Sequence, residues 1–470
     1  MTFWIDNHGC AKNQVDAEEI AARMEAAGHS YAPGPEGADL IIVNTCGFIE
    51  DAKKESIDAL ISLRARHPEA KIVAAGCLSQ RYASDLAADL DEADGFAGNA
   101  DLSIFPALAE AALAGRRPIE VPPPREAIQA VPRRRLFDYP GTAHVKATEG
   151  CSNRCSYCAI PLIRGALRSR SVEEVAAECR ELAGRGIREL VLVGQDLASF
   201  GRDLPAAGGA RGSVAAEGPA ALGASLLPAL IAAISRIGGD FRVRVMYLHP
   251  DNFPEGLLDA MAADPRVLPY FDLPFQHASP RILRAMNRRG SAEAYLGLLE
   301  RIRGVFPDAA IRSTFLVGFP GESGEDFAEL RAFQDAARID WLGSFAYSRE
   351  EGTPAYSMRL KVPSPRVAER RKAIEEAQER ITRDRLRRFV GRELEVLAEE
   401  VFERPEDSPD EAELTIGRAW NQAPEVDGLT VLRGRVEPGT VVRARVLSLA
   451  GLDFDAAPSG RESAPASTGS

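Results

Sequence analysis

Short apolar runs alternate with amphipathic stretches along the first 114 residues. Positions 3–5, 38–43 and 71–75 read as buried strands. Val15, Ile20 and Met24 within 14–27, and Ile57, Leu60 and Ile61 within 49–63, recur at helical spacing, and another helical pattern follows Ser79. This alternation predicts an open parallel α/β sheet domain over residues 1–114. Residues 115–137 are proline-rich and aperiodic. They read as a partly extended linker, with the triplet Arg133-Arg134-Arg135 as a solvated run.

A longer series occupies 138–390, with strand patterns at 143–148, 188–194, 241–247, 270–274, 311–317 and 341–347. Helical patterns lie between them at 172–184, 225–237, 254–263, 279–288 and 324–337. Repeated βα units predict a parallel sheet or incomplete barrel whose site lies at the strand C-termini. Residues 201–224, rich in Gly, Ala and Pro, read as a surface insertion. The Arg- and Glu-dense segment 365–389 is predicted to be a solvated connecting helix with i,i+4 pairs. Short β patterns over 391–457 predict a small antiparallel barrel. The low-complexity tail 458–470 is expected to be disordered.

Size agrees with this division, since 470 residues predict two to four domains. The composition is that of an ordinary soluble protein, 45% hydrophobic and 27% charged. The longest apolar runs are far too short to span a bilayer, and the first residues lack the charged and apolar regions of a signal peptide. A cytoplasmic location is therefore expected, where disulfides are disfavoured and seven cysteines point to metal binding or catalysis. The net charge of −12 makes the chain a poor generic nucleic-acid binder and favours a basic protein partner.

Three thiols fall within eight residues in Cys151-Ser-Asn-Arg-Cys155-Ser-Tyr-Cys158, on a loop after a predicted strand. Iron–sulfur cubanes usually take four cysteines, so a tight set of three suggests a cluster with one iron open to a non-protein ligand. Structural zinc is the alternative, but neither a second CxxC nor His-x-x-x-His is present. Cys10, Cys46 and Cys77 each follow one of the three N-terminal strands, within polar, glycine-containing loops. Ligands of open parallel sheets bind at strand carboxyl ends, so these thiols are expected to converge on a second cluster; three buried core cysteines are the alternative. Cys179 shares a helical face with Val172, Val175, Ala176 and Leu182 and reads as structural.

The loop Cys151-x-x-x-Cys155-x-x-Cys158, with Tyr157 before its last cysteine, resembles the signature of radical S-adenosylmethionine (SAM) enzymes. Together with the upstream cysteines and the downstream barrel, it resembles the radical SAM methylthiotransferase family over roughly residues 3–455. That resemblance implies an N-terminal cluster domain, a radical SAM partial barrel and a C-terminal TRAM barrel. The stretches Gly9-Cys10-Ala-Lys12-Asn13-Gln-Val-Asp16, Asn44-Thr-Cys46-Gly-Phe-Ile, Gly76-Cys77-Leu-Ser-Gln-Arg81 and Ile160-Pro-Leu-Ile-Arg164-Gly165 look like the RimO type, which acts on a ribosomal protein. So do Leu273-Pro-Phe-Gln-His277-Ala-Ser, Met286-Asn-Arg-Arg-Gly290 and Gly417-Arg-Ala-Trp-Asn-Gln-Ala-Pro-Glu425-Val-Asp427-Gly. Ala11 departs from the proline usual there, and the 201–224 insertion is longer than expected. Residues 391–457 carry seven arginines, no lysine and fifteen acidic residues, a net charge of −8 that suits a basic ribosomal protein better than tRNA.

The resemblance implies two 4Fe–4S clusters, on Cys10, Cys46 and Cys77 and on Cys151, Cys155 and Cys158, with SAM bound at the second. It names no catalytic side chain beyond these ligands. The implied reaction uses a SAM-derived radical to abstract hydrogen from the β-carbon of an aspartate on small-subunit ribosomal protein twelve. Sulfur insertion and methylation follow. Tyr157 would lie near the adenine or simply pack, and Gln195 would meet the SAM amino group. Gly318 would admit the nucleoside or make a tight turn, and His277 would touch substrate or bond locally. Expected partners are the ribosomal protein and an electron donor such as flavodoxin or ferredoxin, for a monomer without membrane attachment. The rival readings are a tRNA adenosine methylthiotransferase of the same chemistry and a non-enzymatic iron–sulfur electron carrier. A nucleotide-binding module is excluded, since no GxGxxG or Walker loop opens a helix.

Overall fold

The computed structural model describes residues 1–124, 128, 130–205, 223–402 and 413–459. Most of the 201–224 insertion and all but the start of the 458–470 tail lie outside these residues.

The N-terminal sheet has six parallel strands in the order Ser30–Tyr31, Thr2–Asn7, Leu40–Thr45, Lys71–Gly76, Gly95–Ala97 and Ile119–Glu120. Its central strand, Leu-Ile-Ile-Val-Asn-Thr, is buried on both faces, so it reads as a continuous apolar run. Leu40 and Ile42 face the helices Ala11–Ala26 and Phe105–Leu113, whereas Ile41 and Val43 face Glu50–Arg66 and Cys77–Asp89. Ile119–Glu120 belongs to the expected linker yet pairs with Phe96 and Ala97 at the sheet edge.

The arginine triplet is solvated only in part: Arg134 and Arg135 are exposed, Arg133 is not. Arg133 is buried and paired with Glu18 and Glu178, and the Arg185 guanidinium donates to the carbonyls of Arg133 and Arg134. Arg133 thereby fastens the linker between a helix of each flanking domain.

All six expected strands of the second domain form, as Thr142–Lys146, Glu189–Val193, Arg242–Val245, Tyr270–Asp272, Ala310–Val317 and Trp341–Ala346. They run parallel in sequence order as two three-stranded sheets. A Val243–Val267 bridge and the bond from Leu248 N to Asp272 O join the two into one partial barrel. Side chains alternate: Leu190, Leu192, Val243, Val245 and Phe271 face the outer helices, and Val191, Val193, Met246 and Tyr270 face inward. The helix Ala292–Val305 is additional to the expected set.

The helix Ser364–Leu386 is more than a solvated connector. Exposed i,i+4 pairs such as Arg371–Glu375 and Arg383–Glu379 do form. Its other face buries Ile374, Ala377, Gln378, Ile381 and Leu386, and Gln378 and Thr382 donate to the backbone of Ile339 and Asp340. The C-terminal strands Glu393–Phe402, Leu414–Ala419, Thr430–Arg433, Val441–Ala450 and Asp453–Pro458 close a five-stranded barrel. Its pairings are antiparallel apart from a parallel seam between Thr430–Arg433 and Asp453–Pro458. Pro458, the expected start of the tail, still belongs to that strand, and Ser459 N donates to Arg443 O.

This small barrel fills the underside of the larger one. Arg418 reaches Glu189 Oε1 at 3.1 Å and Thr142, Trp341 Nε1 donates to Asn421 O, and the Tyr270 hydroxyl donates to Asp427 at 2.6 Å. Among the described residues no helix is long and apolar enough to cross a membrane.

Candidate active site

Adjacent strands of a parallel sheet end side by side, and three neighbouring strands of the N-terminal sheet each end next to a cysteine. Cys10 precedes the helix Ala11–Ala26, Cys46 follows Leu40–Thr45, and Cys77 opens the helix Cys77–Asp89. Gly76 has φ +94°, and a Cβ there would lie 2.5 Å from Thr45 O, so only glycine brings these two loops this close. Asn13 ties the three loops together. Its amide donates to His8 O and Thr45 O, and its Oδ1 accepts from the Cys77 thiol at 3.3 Å. Asn99 Nδ2 donates to Cys77 Sγ at 3.2 Å. Cys10 is exposed, Cys46 half-buried and Cys77 buried. Burial pushes the Cys46 thiol up to about 12. At Cys10 the packing around the sulfur acts in the same direction although the residue as a whole is exposed, but the charges of Lys12 and Arg164 outweigh it and hold this thiol below its ordinary value.

The second set lies beyond the first strand of the larger barrel. Cys151 N donates to Gly165 O, and Asn153 Nδ2 donates to Asp196 Oδ2 at 2.8 Å. The same carboxylate oxygen accepts from Asn252 Nδ2 and Ser199 Oγ, while Asp196 Oδ1 accepts from His249 N. Met286-Asn-Arg-Arg-Gly290 supports the other side. Ser156 N donates to Met286 O, and Asn287 Nδ2 donates to Arg154 O. Arg288 grips the carbonyls of Pro274 and Phe275 and places Nη2 2.9 Å from His249 Nε2, which is 3.9 Å from Cys155 Sγ. Burial pushes the Cys158 thiol up to about 12 and also raises Cys151 and Cys155.

The two sets meet across one buried junction. Cys77 packs with Ala159 and Ile163, the first of which follows Cys158 directly. Arg164 Nη2 lies 2.6 Å from Asn13 Oδ1, 2.8 Å from Asp16 Oδ2 and 3.4 Å from Cys77 Sγ, and Nη1 is 2.7 Å from Glu149 Oε1. Lys146 is paired with Asp16 and lies 3.1 Å from Glu149. Burial disfavours the Glu149 carboxylate, but Arg164 and Lys146 overcome it and hold its pKa well below the ordinary value. Lys12 Nζ sits 3.4 Å from the centre of the Tyr247 ring, just beyond the strand Arg242–Val245.

The remaining residues singled out from sequence fall as follows. Tyr157 is half-buried against the cluster of Ile282, Met286, Leu316 and Phe319. Gln195 is half-buried at the end of Glu189–Val193, beside Asp196. Gly318 has φ +78°, and an added Cβ would lie 2.5 Å from Val367, so both its backbone conformation and its close packing call for glycine. His277 is fully buried; its Nδ1 accepts from Ala278 N and Ser279 N at 3.0 Å, which is the local-bonding alternative. Cys179 lies in the hydrophobic core. Asp196, Arg288 and His249 were not singled out individually from sequence. Position just after a barrel strand was the available signal for Asp196 and His249.

Residues 2–98 match the Uncharacterized protein family UPF0004, 145–333 the Radical SAM superfamily and 390–458 the TRAM domain. A ribosomal protein uS12 methylthiotransferase RimO from Treponema denticola is 43% identical, covering 96% of this chain and 99% of the relative. Proteins of the same name from Nocardioides sp. and Moorella thermoacetica are each 40% identical, covering 96% and 94% of this chain and 95% of each relative. The chain belongs to the RimO family. The radical SAM methyltransferase TsrM from Kitasatospora setae shares the fold, with a TM-score of 0.54 at 17% identity over 75% of this chain and 73% of that one.

RimO-family membership brings two 4Fe–4S clusters and SAM as cofactors. The donor sets fit them, because Cys10 and Cys77 lie near enough to act on Cys46, and Cys155 and Cys158 on Cys151, giving two separate groups of three soft sulfur donors of the kind cubanes take.

Proposed function

We propose that this chain methylthiolates the β-carbon of an aspartate on ribosomal protein uS12. The observation that carries this reading is the packing of Cys77 against Ala159 and Arg164, which brings a sulfur-supplying site up against a radical-generating one. Cys151, Cys155 and Cys158 would hold the SAM-binding cluster, and Cys10, Cys46 and Cys77 the other. When bound, the clusters and SAM supply the radical that removes hydrogen, the inserted sulfur and the methyl group.

The protein supplies geometry. Asp196 and Asn287 hold the Cys151–Cys158 loop from two sides, and Arg164 fixes that loop's following helix against Asn13 and Asp16. The junction excludes water, since Asn13, Asp16, Lys146, Glu149 and Arg164 are all buried. Tyr157, Gln195 and Gly318 are assigned to SAM contact. Electrons would come from a flavodoxin or ferredoxin, to a cytoplasmic monomer. With the edge strand Ile119–Glu120 and Pro458 included, the assigned domain limits are 1–120, 138–390 and 391–458, and the acidic C-terminal barrel favours a basic protein acceptor over tRNA.

The test is anaerobic incubation of reconstituted enzyme with SAM, reductant and either uS12 or tRNA. Methylthioaspartate on uS12, read by mass spectrometry, is expected. Methylthiolated adenosine with unmodified uS12 would overturn the reading.

A further inference from the structure

The cations at the junction differ in one respect. Arg164 and Lys146 share the carboxylates of Asp16 and Glu149, and Arg288 spends its donors on two carbonyls and His249. Lys12 is only 5% exposed, yet none of the described carboxylates pairs with it. Its neighbours are Cys10, Arg164 and the Tyr247 ring. A cation–π contact returns only part of the hydration a buried ammonium gives up. Burying an ion is costly, and the Cys10 thiol, which Arg164 shares and which is a proposed cluster ligand, does not with Tyr247 offset the whole loss of water. An anion from outside the chain would complete the balance.

The position narrows that anion. Lys12 stands two residues after Cys10, and Tyr247 stands at the carboxyl end of a barrel strand, where its carbonyl accepts from Leu197 N, next to Asp196. The ammonium therefore lies between the two cysteine sets, where the reacting atom of the substrate must come.

We propose that Lys12 binds the side-chain carboxylate of the substrate aspartate, with the Tyr247 ring as the wall behind it. This rests on the aspartate-acceptor reading above. The β-carbon is bonded directly to the carboxylate carbon, so one charged grip fixes the C–H bond to be broken and selects aspartate over neutral side chains. Lys12 is thus a positioning and specificity residue that takes no part in bond making.

The test compares binding of purified uS12, and of uS12 carrying Asn at the acceptor position, to holoenzyme by fluorescence anisotropy. The wild type should prefer the Asp form by about tenfold or more, the size of a charge-assisted bond. Lys12→Gln should lose that preference with its iron content intact, and Lys12→Arg should recover part of it. A full preference in Lys12→Gln overturns the proposal. So does loss of iron from that variant, which would assign the ammonium to the thiolates instead. If wild type modifies uS12 but the preference survives Lys12→Gln, only the Lys12 assignment fails. If wild type leaves uS12 unmodified, the acceptor reading fails and takes this one with it.

Discussion

Arg164 Nη2 lies 2.8 Å from Asp16 Oδ2, and the two residues stand each six positions beyond a cysteine, Cys158 and Cys10 respectively. One ion pair thus sets the distance between the two proposed cluster loops. Arg164→Ala would leave Asp16 and Glu149 buried with Lys146 alone. Removing one partner of a buried ion pair costs about 3–5 kcal/mol. Thermal unfolding of the apoprotein should show a clear fall in Tm. Arg164→Lys should recover little, because one ammonium cannot reach Asn13, Asp16 and Glu149 together. An unchanged Tm in Arg164→Ala would remove the pair from any role at the junction.

Glu189 is the corresponding anchor at the other end of the barrel. Its carboxylate is fully buried among Arg242, Arg244 and Arg418, and these cations hold its pKa far down despite the burial. Glu189→Gln keeps the shape but leaves three guanidinium groups without their shared counter-charge. A loss of about 3–5 kcal/mol is expected in urea unfolding. Glu400→Gln, on an exposed strand position, should stay within about 0.5 kcal/mol.

These two anchors mark where the sequence stops being legible. The central strands and most barrel helices are readable because continuous burial or period-3.6 spacing leaves a local trace, as at Leu40–Thr45. Tyr295, Leu298, Leu299 and Ile302 carry such a trace as well, so the helix Ala292–Val305 was within reach. Edge strands of two or three residues, such as Ile119–Glu120, leave none. Buried ion pairs are illegible for another reason. Arg133 finds Glu18 at a separation of 115 residues, and nothing in a run of three arginines announces a partner so distant. The cysteine loops were readable because strand ends dictate where ligands gather, whereas the residues bracing them depend on which strands become neighbours.

His277 gives the fold a defined acid sensitivity. Burial lowers its pKa to about 3; Asp326 opposes the shift, and Arg370 and Arg281 reinforce it. The folded value lies below the ordinary 6.5, so the contribution to stability is full above pH 6.5 and is lost as pH falls toward 3. At pH 4.5 the loss is roughly 3 kcal/mol, at about 1.4 kcal/mol per unit. His277→Asn keeps an acceptor for Ala278 N and Ser279 N but does not titrate. Its Tm should therefore fall less than the wild type's between pH 7 and 4.5. Equal falls would place His277 outside this titration.

Iron analysis separates the three classes of cysteine. Two cubanes require about eight irons per chain after anaerobic reconstitution. Cys10→Ala with Cys46→Ala should leave about four, because Cys77 alone cannot hold a cubane. Cys151→Ala with Cys155→Ala should also leave about four, and should abolish SAM cleavage, which the first pair should spare. Cys179 lies in the core between Val175 and Leu182, away from both loops. Cys179→Ala should therefore keep all the iron. A wild-type value near four that the Cys10 and Cys46 changes leave untouched would remove the auxiliary cluster, and with it the sulfur-supplying half of the proposed chemistry.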